Sequence, residues 1–338
     1  MRGLAFHLLV AACTALLPLA AYGAACVSTN GCTEWVTLRN GPARSKVYRT
    51  YSLTEKNENI RRAFILIHGA SRDADNYFRT AVAAAFLAEA LEDTIVVSPR
   101  FASKTGGCND ALGENEVNWS CSGDSWRSGG VSISNKELTS YDFADELLRK
   151  LADKHVFPNL KAIVIAGHSA GGQFVTRYEM TNKIHDSLGV PVTYVVSNPS
   201  SYAYPDKLRP AGEKAEMKAF AEEAKCAGYN RWPYGFDNRG SGYASKLGDD
   251  VLKKQLAARP TVYLLGSLDI LPLAGFDSSC PAMAQGPTRL ARGQAFGKHV
   301  VEKYGAKDHK TVVVDLCGHN ARCMFTSETA LPIVFPKQ

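Results

Sequence analysis

The apolar positions of the chain alternate between short continuous runs and repeats spaced three or four residues apart. Continuous runs such as 63–67 (AFILI) are typical of strands that are buried on both faces of a sheet. Spaced repeats, as in Phe78, Val82 and Phe86, predict amphipathic helices. The predicted strands cover residues 34–38, 46–53, 63–67, 94–98, 161–166, 192–197, 261–266 and 311–316. The predicted helices cover residues 75–91, 139–154, 170–184, 213–225 and about 290–304.

This alternation predicts an α/β fold with a mostly parallel central sheet and helices on both faces. Two segments interrupt it. Residues 101–134 are rich in Gly, Ser, Asn and Cys and predict an irregular surface excursion. Residues 198–250 contain many Pro, Gly, Tyr and Trp residues, so we interpret them as a small cap-like insertion. We therefore expect one domain over residues 26–338.

The first residues of the chain have the composition of an export signal. Arg2 is the only charge before Glu34, residues 4–17 are apolar, and small residues crowd positions 20–25 after Pro18. This order predicts a signal peptide over residues 1–25 and a secreted, extracellular or periplasmic, protein. The alternative is an uncleaved membrane anchor, because the stretch is almost long enough to span a bilayer.

The number of cysteines is consistent with export. Removing Cys13 with the leader leaves eight of the nine cysteines, an even number that favours disulfides in an exported chain. The sequence does not determine the connectivity. The simplest hypothesis pairs near neighbours, with Cys226 and Cys280 left for each other. The first three pairs would then be Cys26–Cys32, Cys108–Cys121 and Cys317–Cys323.

The distribution of charged residues does not indicate a binding partner. The formal charge of +6 comes from scattered Lys and Arg residues, without a basic run or a nucleic-acid motif. We therefore expect a mildly basic, solvated surface, no nucleic-acid partner, no stable membrane insertion and a monomer.

The strongest chemical signal is Gly167-His168-Ser169-Ala170-Gly171, which matches the G-x-S-x-G pattern. A buried strand precedes it and a helix follows, which is the context that a nucleophile elbow requires. Such a turn exposes the serine hydroxyl above the sheet and directs the next backbone N–H at the reacting carbonyl. Ser169 is therefore the predicted nucleophile, and the alternative is an idle serine in a glycine-rich turn.

A serine hydroxyl needs a base, and His319 follows the last predicted strand. The order nucleophile, acid, histidine along the chain suits this position. Two other interpretations are a structural loop histidine and a metal site made with Cys317 and Cys323, although this spacing matches no common zinc pattern. A Cys317–Cys323 disulfide would instead brace the loop around His319.

The third member of a serine–histidine–acid triad should follow the preceding predicted strand, 261–266. Asp269 is the predicted acid and Asp277 the alternative, because Asp269 lies nearer the end of the strand. For the oxyanion, the sequence predicts the backbone N–H groups of Ala170 and Ala70, with Ser71 as the alternative to Ala70. This chemistry needs no metal or organic cofactor.

Aromatic side chains cluster near the predicted rim of the site. They either pack under the long loops or form an apolar acyl pocket. Trp126 is the best single candidate for such a pocket. His68 is a second substrate-binding candidate, and a satisfied core histidine is the alternative for it.

Four segments in this order resemble the α/β-hydrolase superfamily: 67–70 (IHGA), 166–172 (AGHSAGG), 265–269 (LGSLD) and 318–320 (GHN). Within it, export and the AGHSAGG elbow resemble secreted esterases of the polyhydroxyalkanoate-depolymerase-like group. The resemblance implies the catalytic roles given above for Ser169, Asp269 and His319 and does not supply a substrate. We expect a serine hydrolase that cleaves carboxylic esters, with a small-molecule or polymeric ester as substrate. A separate polymer-binding domain is not evident. Hydrolysis of a peptide or amide, and a catalytically inactive binding protein, remain as alternatives.

Overall fold

The computed structural model describes residues 23–121, 125–273 and 275–337. The ten strands of the described chain are β1 Thr33–Thr37, β2 Arg44–Arg49, β3 Arg62–Ile67, β4 Thr94–Pro99, β5 Ala162–His168, β6 Val192–Ser197, β7 Leu208–Ala211, β8 Glu216–Ala219, β9 Thr261–Gly266 and β10 His309–Val314. Eight of them form the central sheet, in the order β1-β2-β4-β3-β5-β6-β9-β10. All neighbours from β4 to β10 in this order pair in parallel, whereas β2 is antiparallel to both β1 and β4.

Helices cover both faces of this sheet, as the apolar pattern predicts. The helices are α1 Ala74–Leu87, α2 Ser140–Ala152, α3 Ala170–Thr181, α4 Asp249–Ala258, α5 Cys280–Met283, α6 Arg289–Tyr304, α7 Ala321–Phe325 and α8 Leu331–Val334. One core contains buried side chains of α1, α7 and α8, and the other contains those of α2, α3, α4 and α6. The central strands β3, β4, β5, β6 and β9 are mostly apolar because both of their faces are buried.

The predicted α/β fold with a mostly parallel sheet is confirmed, and most of the element ends agree within a few residues. The strand 192–197 has the predicted ends. Thr139 is the N-cap of α2, where its side chain accepts a hydrogen bond from the backbone N–H of Asp142. β5 continues two residues further than predicted and runs on to His168.

The predicted helix over 213–225 is wrong. The antiparallel hairpin of β7 and β8 occupies most of this stretch, followed by a 3₁₀ turn at Glu223–Lys225. Gly212 and Ala215 both adopt positive φ, at 67° and 50°, which closes the hairpin and interrupts helical geometry. The segment 198–250 is otherwise mostly irregular, but α4, which the pattern did not predict, begins at its end.

Four disulfides join the cysteines in the near-neighbour pairing. They are Cys26–Cys32, Cys108–Cys121, Cys226–Cys280 and Cys317–Cys323. The bond at Cys317 and Cys323 removes both sulfurs from the alternative metal site at His319. Nearly all of the predicted signal peptide lies outside the described residues. None of the described helices has the length and hydropathy needed to span a membrane.

Candidate active site

Ser169 occupies a sharp turn between β5 and α3. It is the only residue between the end of the strand at His168 and the start of the helix at Ala170. Its φ is 59°, in the left-handed region that a non-glycine residue rarely adopts. The backbone N–H of Ser169 donates to the carbonyl of Ser197 at the end of β6, which anchors this conformation (3.0 Å). The turn therefore has the geometry of a nucleophile elbow.

The two glycines of the motif are required by close backbone contacts. A Cβ on Gly167 would lie 2.2 Å from the carbonyl oxygen of Gly171, and a Cβ on Gly171 would lie 2.3 Å from that of Ile67. Neither backbone atom can move without disturbing β3 or α3. The motif is thus explained by packing around Ser169 and not only by its chemistry.

A hydrogen-bonded chain of three side chains connects Ser169 to a buried carboxylate. Nε2 of His319 lies 2.9 Å from Oγ of Ser169, and Nδ1 of His319 lies 2.7 Å from Oδ2 of Asp269. Ser169 follows β5, Asp269 follows β9 and His319 follows β10, so all three lie at the carboxyl edge of the parallel sheet. Residues far apart in the sequence therefore meet at one point.

The structure distinguishes the two candidate acids by their partners. The carboxylate of Asp269 is fully buried beside His319. The carboxylate of Asp277 instead accepts a hydrogen bond from the hydroxyl of Tyr234 (2.8 Å). Asp269 is therefore the carboxylate that orients the imidazole of His319.

Arg289, the first residue of α6, pairs with the other oxygen of Asp269. Its Nη1 lies 3.3 Å from Oδ1, and both side chains are fully buried. Its Nε donates to Oγ of Ser200 (2.9 Å), and Ser200 donates in turn to the carbonyl of Gly275 (3.1 Å). A fully buried carboxylate is costly without a compensating charge, and Arg289 supplies that charge. Sequence patterns did not reveal Arg289, because a helix-start arginine is usually solvated.

The predicted oxyanion donors lie next to Ser169. Ala170 is the first residue of α3, where backbone N–H groups have no carbonyl of a preceding helical turn to bind. Ala70 follows β3. Together with Gly69 and Ser169 it lines a cavity above the serine hydroxyl. A Cβ on Gly69 would lie 2.8 Å from the hydroxyl oxygen of Tyr77 and 3.8 Å from Cβ of Ser169, so glycine allows this close approach.

The cavity above Ser169 has a volume of about 360 Å³. His319 lies in its wall beside His168, with the centres of the two rings 4.6 Å apart. Burial, with the nearby His319 and Arg289, holds the pKa of His168 well below its usual range. His168 is thus neutral, and Nδ1 lies 3.1 Å from the hydroxyl oxygen of Tyr77. His168 therefore adds no positive charge next to His319.

The two predicted substrate-binding side chains, Trp126 and His68, are not among those that line this cavity, and the structure corrects that assignment. His68 is fully buried, with Nδ1 2.9 Å from the carbonyl oxygen of Gly69 and Nε2 accepting from the backbone N–H of Phe101. Burial lowers the pKa of His68 to about 4. Trp126 packs on His68 and Phe101 within an aromatic core. Both positions thus follow the alternative interpretation, in which they pack beneath the loops.

Cavity-lining residues that the sequence did not single out include Tyr77, Asn320 and Arg322. Tyr77 lies on α1, and the other two flank the start of α7. The disulfide between Cys317 and Cys323 encloses His319, Asn320 and this first turn of α7. The wall of the cavity is therefore braced on the side of His319.

Fold and site together define a hydrolase of the α/β type: a parallel sheet, a strained serine after a central strand, and an imidazole–carboxylate pair from two later strands. A model of the alpha/beta hydrolase family matches residues 64–331, and the chain belongs to that family. No curated protein matches the sequence.

Two solved structures share the fold. One is described as LpqC, a poly(3-hydroxybutyrate) depolymerase from Bordetella parapertussis, with 21% identity, a TM-score of 0.61 and coverage of 88% of this chain and 85% of that one. The other is poly(aspartic acid) hydrolase-1 from Sphingomonas sp. KT-1, with 22% identity, a TM-score of 0.63 and coverage of 90% and 97%. At this identity the likeness shows the fold.

Proposed function

We propose that this chain is a secreted serine hydrolase that cleaves carboxylic esters through an acyl-enzyme. The observation that carries the proposal is the continuous hydrogen-bonded chain from Oγ of Ser169 through His319 to the buried carboxylate of Asp269. A neutral serine hydroxyl is a weak nucleophile, and this arrangement supplies the base and the group that orients it.

The proposed reaction proceeds in two halves. Nε2 of His319 takes the proton of Ser169 as Oγ attacks the ester carbonyl, and the N–H groups of Ala70 and Ala170 bind the oxyanion. The tetrahedral intermediate collapses when the protonated His319 gives its proton to the leaving alcohol. Water then attacks the acyl-enzyme with His319 again as base, which releases the acid and regenerates Ser169.

Asp269 and Arg289 act together in this scheme. The carboxylate of Asp269 holds the imidazole with Nδ1–H towards the protein and stabilises the imidazolium that forms during each half. The ion pair with Arg289 stabilises the carboxylate in its fully buried position. No step requires a metal or an organic cofactor.

Export is part of the proposal. The apolar N-terminal run followed by small residues has the order of a cleaved signal peptide. The four disulfides favour an oxidising compartment, either extracellular or periplasmic.

The alternative substrate is an amide or peptide bond. Two proteins of this fold are described as acting on a polyester and on poly(aspartic acid), so the fold does not select the bond. A catalytically inactive binding protein is less well supported, because inactive members of such folds usually lack one of the three side chains that are hydrogen-bonded here.

A panel of p-nitrophenyl esters and fluorogenic peptides tests the proposal, with Ser169→Ala as the matched control. We expect ester turnover by the wild type and none above background by the variant. Peptide cleavage without ester turnover would favour the alternative substrate. Ester turnover that survives in Ser169→Ala would remove Ser169 from the reaction.

A further inference from the structure

The hydroxyl group of Tyr77 lies in the wall of the cavity above Ser169, and the proposed reaction gives it no role. Tyr77 is on α1 and only 8% exposed, and its ring belongs to the core that contains α1, α7 and α8. It nonetheless lines the cavity together with Ser169. A phenylalanine would fill the same space in the core, so the buried hydroxyl group needs an explanation of its own.

The hydroxyl oxygen of Tyr77 is close to the backbone that is proposed to bind the oxyanion. A Cβ added to Gly69 would lie 2.8 Å from this oxygen and 3.8 Å from Cβ of Ser169. One methyl group would therefore span the gap between the phenol and the nucleophile. Gly69 directly precedes Ala70, whose backbone N–H is one of the proposed donors. An acyl oxygen bound by Ala70 would thus lie beside the hydroxyl group of Tyr77.

The phenol of Tyr77 keeps its proton. Burial, together with the negative charge of Asp73, raises the pKa of Tyr77 above its usual range, and a hydrogen bond from the backbone of Gly69 offsets only part of this rise. A protonated phenol donates one hydrogen bond and accepts others. The contribution that Tyr77 can make to the reaction therefore depends on the direction of that one O–H bond.

His168 determines this direction. The ring of His168 is neutral, its Nδ1 lies 3.1 Å from the hydroxyl oxygen of Tyr77, and no described residue hydrogen-bonds to its buried Nε2. A proton on Nε2 would leave a buried N–H without an acceptor, whereas a proton on Nδ1 leaves only an unused lone pair. Orphaned buried N–H groups are the rarer of the two. The proton is therefore on Nδ1, which donates to Tyr77.

The hydroxyl oxygen of Tyr77 is consequently the acceptor in both of its contacts with the protein, from His168 and from the backbone of Gly69. Its own O–H bond has no acceptor among the described residues. Because Tyr77 lines the cavity, a molecule bound above Ser169 can supply that acceptor.

We propose that the hydroxyl group of Tyr77 is a third donor to the oxyanion, beside the backbone N–H groups of Ala70 and Ala170. The inference rests on the proposed ester hydrolysis and adds a catalytic residue to it. The carbonyl oxygen gains negative charge as Oγ of Ser169 attacks, so the hydrogen bond from Tyr77 is stronger in the transition state than in the bound ester. No proton moves to or from the phenol, and His168 is a positioning residue that holds the phenol oxygen.

The test compares Tyr77→Phe with a matched control in the full secreted chain. Tyr194→Phe is the control, because Tyr194 is fully buried, its hydroxyl oxygen lies 2.9 Å from Nδ1 of His185, and it does not line the cavity. Each variant loses a buried hydroxyl group with a histidine partner, but only Tyr77→Phe loses one beside Ser169. The measurements are kcat and KM for p-nitrophenyl butyrate, inhibition by butylboronic acid, which forms a tetrahedral adduct on a reactive serine, and urea unfolding.

We expect Tyr77→Phe to lower kcat by roughly 10²-fold, which is the usual effect of removing one oxyanion donor, while KM stays within about threefold of the wild type. The inhibition constant of butylboronic acid should rise by about the factor by which kcat/KM falls, because the adduct uses the same donors as the transition state. Tyr194→Phe should keep all three constants within about twofold of the wild type, even if it lowers the free energy of unfolding.

Two outcomes would overturn the proposal. In the first, Tyr77→Phe keeps the kcat of the wild type. In the second, kcat falls but the inhibition constant of butylboronic acid does not change, which would make Tyr77 a purely structural residue.

The rate at which a fluorophosphonate labels Ser169 keeps this test separate from the proposed function, because labelling uses the same oxyanion donors and needs no ester bond. A wild type that is labelled but hydrolyses no ester would contradict ester hydrolysis alone. Slower labelling of Tyr77→Phe would then still support the third donor, and equal labelling rates would refute it.

Discussion

Removal of Arg289 is the most informative perturbation of the buried charges around His319. Arg289 and Asp269 are both fully buried, and Nη1 and Oδ1 are 3.3 Å apart. Loss of one partner from a buried ion pair costs about 3–5 kcal/mol, because the other charge is left uncompensated. The hydrogen bond from His319 still holds Asp269. We therefore expect Arg289→Gln to lower the free energy of unfolding by about 3 kcal/mol, the lower end of this range.

The same substitution should lower turnover. Arg289 contacts Oδ1 of Asp269, and the other oxygen of this carboxylate lies 2.7 Å from Nδ1 of His319. Without Arg289 the carboxylate that orients the imidazole loses one of its two buried partners. The kcat/KM for p-nitrophenyl butyrate should therefore fall in Arg289→Gln, and Arg289→Lys should restore part of the wild-type value.

Arg292 provides a matched control one turn further along α6. It is buried like Arg289 and donates to the carbonyls of Ser200, Gly286 and Asp277 rather than to Asp269. Arg292→Gln should lower the free energy of urea unfolding without a comparable loss of kcat/KM. Equal losses of kcat/KM in both variants, or unchanged kcat/KM and stability in Arg289→Gln, would refute the reasoning.

Three further predictions concern the proposed triad and a buried carboxyl group outside it. Ser169→Ala and His319→Ala should each lower kcat by on the order of 10⁴-fold or more with little change in urea unfolding, because these variants lose the nucleophile or the base and not the core. Asp269→Asn should lower kcat by roughly 10³–10⁴-fold and Asp277→Asn should have a mild effect; the reverse order would move the acid to Asp277. Burial raises the pKa of Glu179 from 4.5 to about 8, so its contribution to stability is present below the lower value and lost as pH rises through the higher one. Glu179→Gln should therefore be more stable than the wild type near pH 9 and similar to it near pH 4 in denaturant titrations, and equal stability at both pH values would contradict this assignment.

The sequence predicted the parts of the site that depend on local order along the chain. Ser169 is recognisable because a strand, two glycines and a helix surround it within a few residues. Asp269 and His319 follow from the rule that parallel strands end at one edge, which brings the segments after β9 and β10 to the same place. The alternation of apolar runs and helical repeats was likewise sufficient for the sheet and its two helical layers.

The errors occurred where turn conformation or contacts between distant segments decide the structure. The residues 213–225 have a composition that suits a helix, but positive φ values at Gly212 and Ala215 close a hairpin instead. Trp126 and His68 lie in segments that the sequence places near the rim of the site, so they were predicted to contact the substrate. Each instead packs into an aromatic core. Arg289 was missed because only the fold shows that it meets the buried Asp269.

Formation of an acyl-enzyme on Ser169 is the central claim, and mass spectrometry of the protein quenched during turnover tests it directly. With p-nitrophenyl acetate as substrate, we predict a mass increase of one acetyl group that maps to the peptide containing Ser169 and is absent from Ser169→Ala. The acetyl group should accumulate more in Asp269→Asn if that variant slows the second half of the reaction more than the first. Turnover of the ester with no acyl adduct, or with an adduct that persists in Ser169→Ala, would contradict the account.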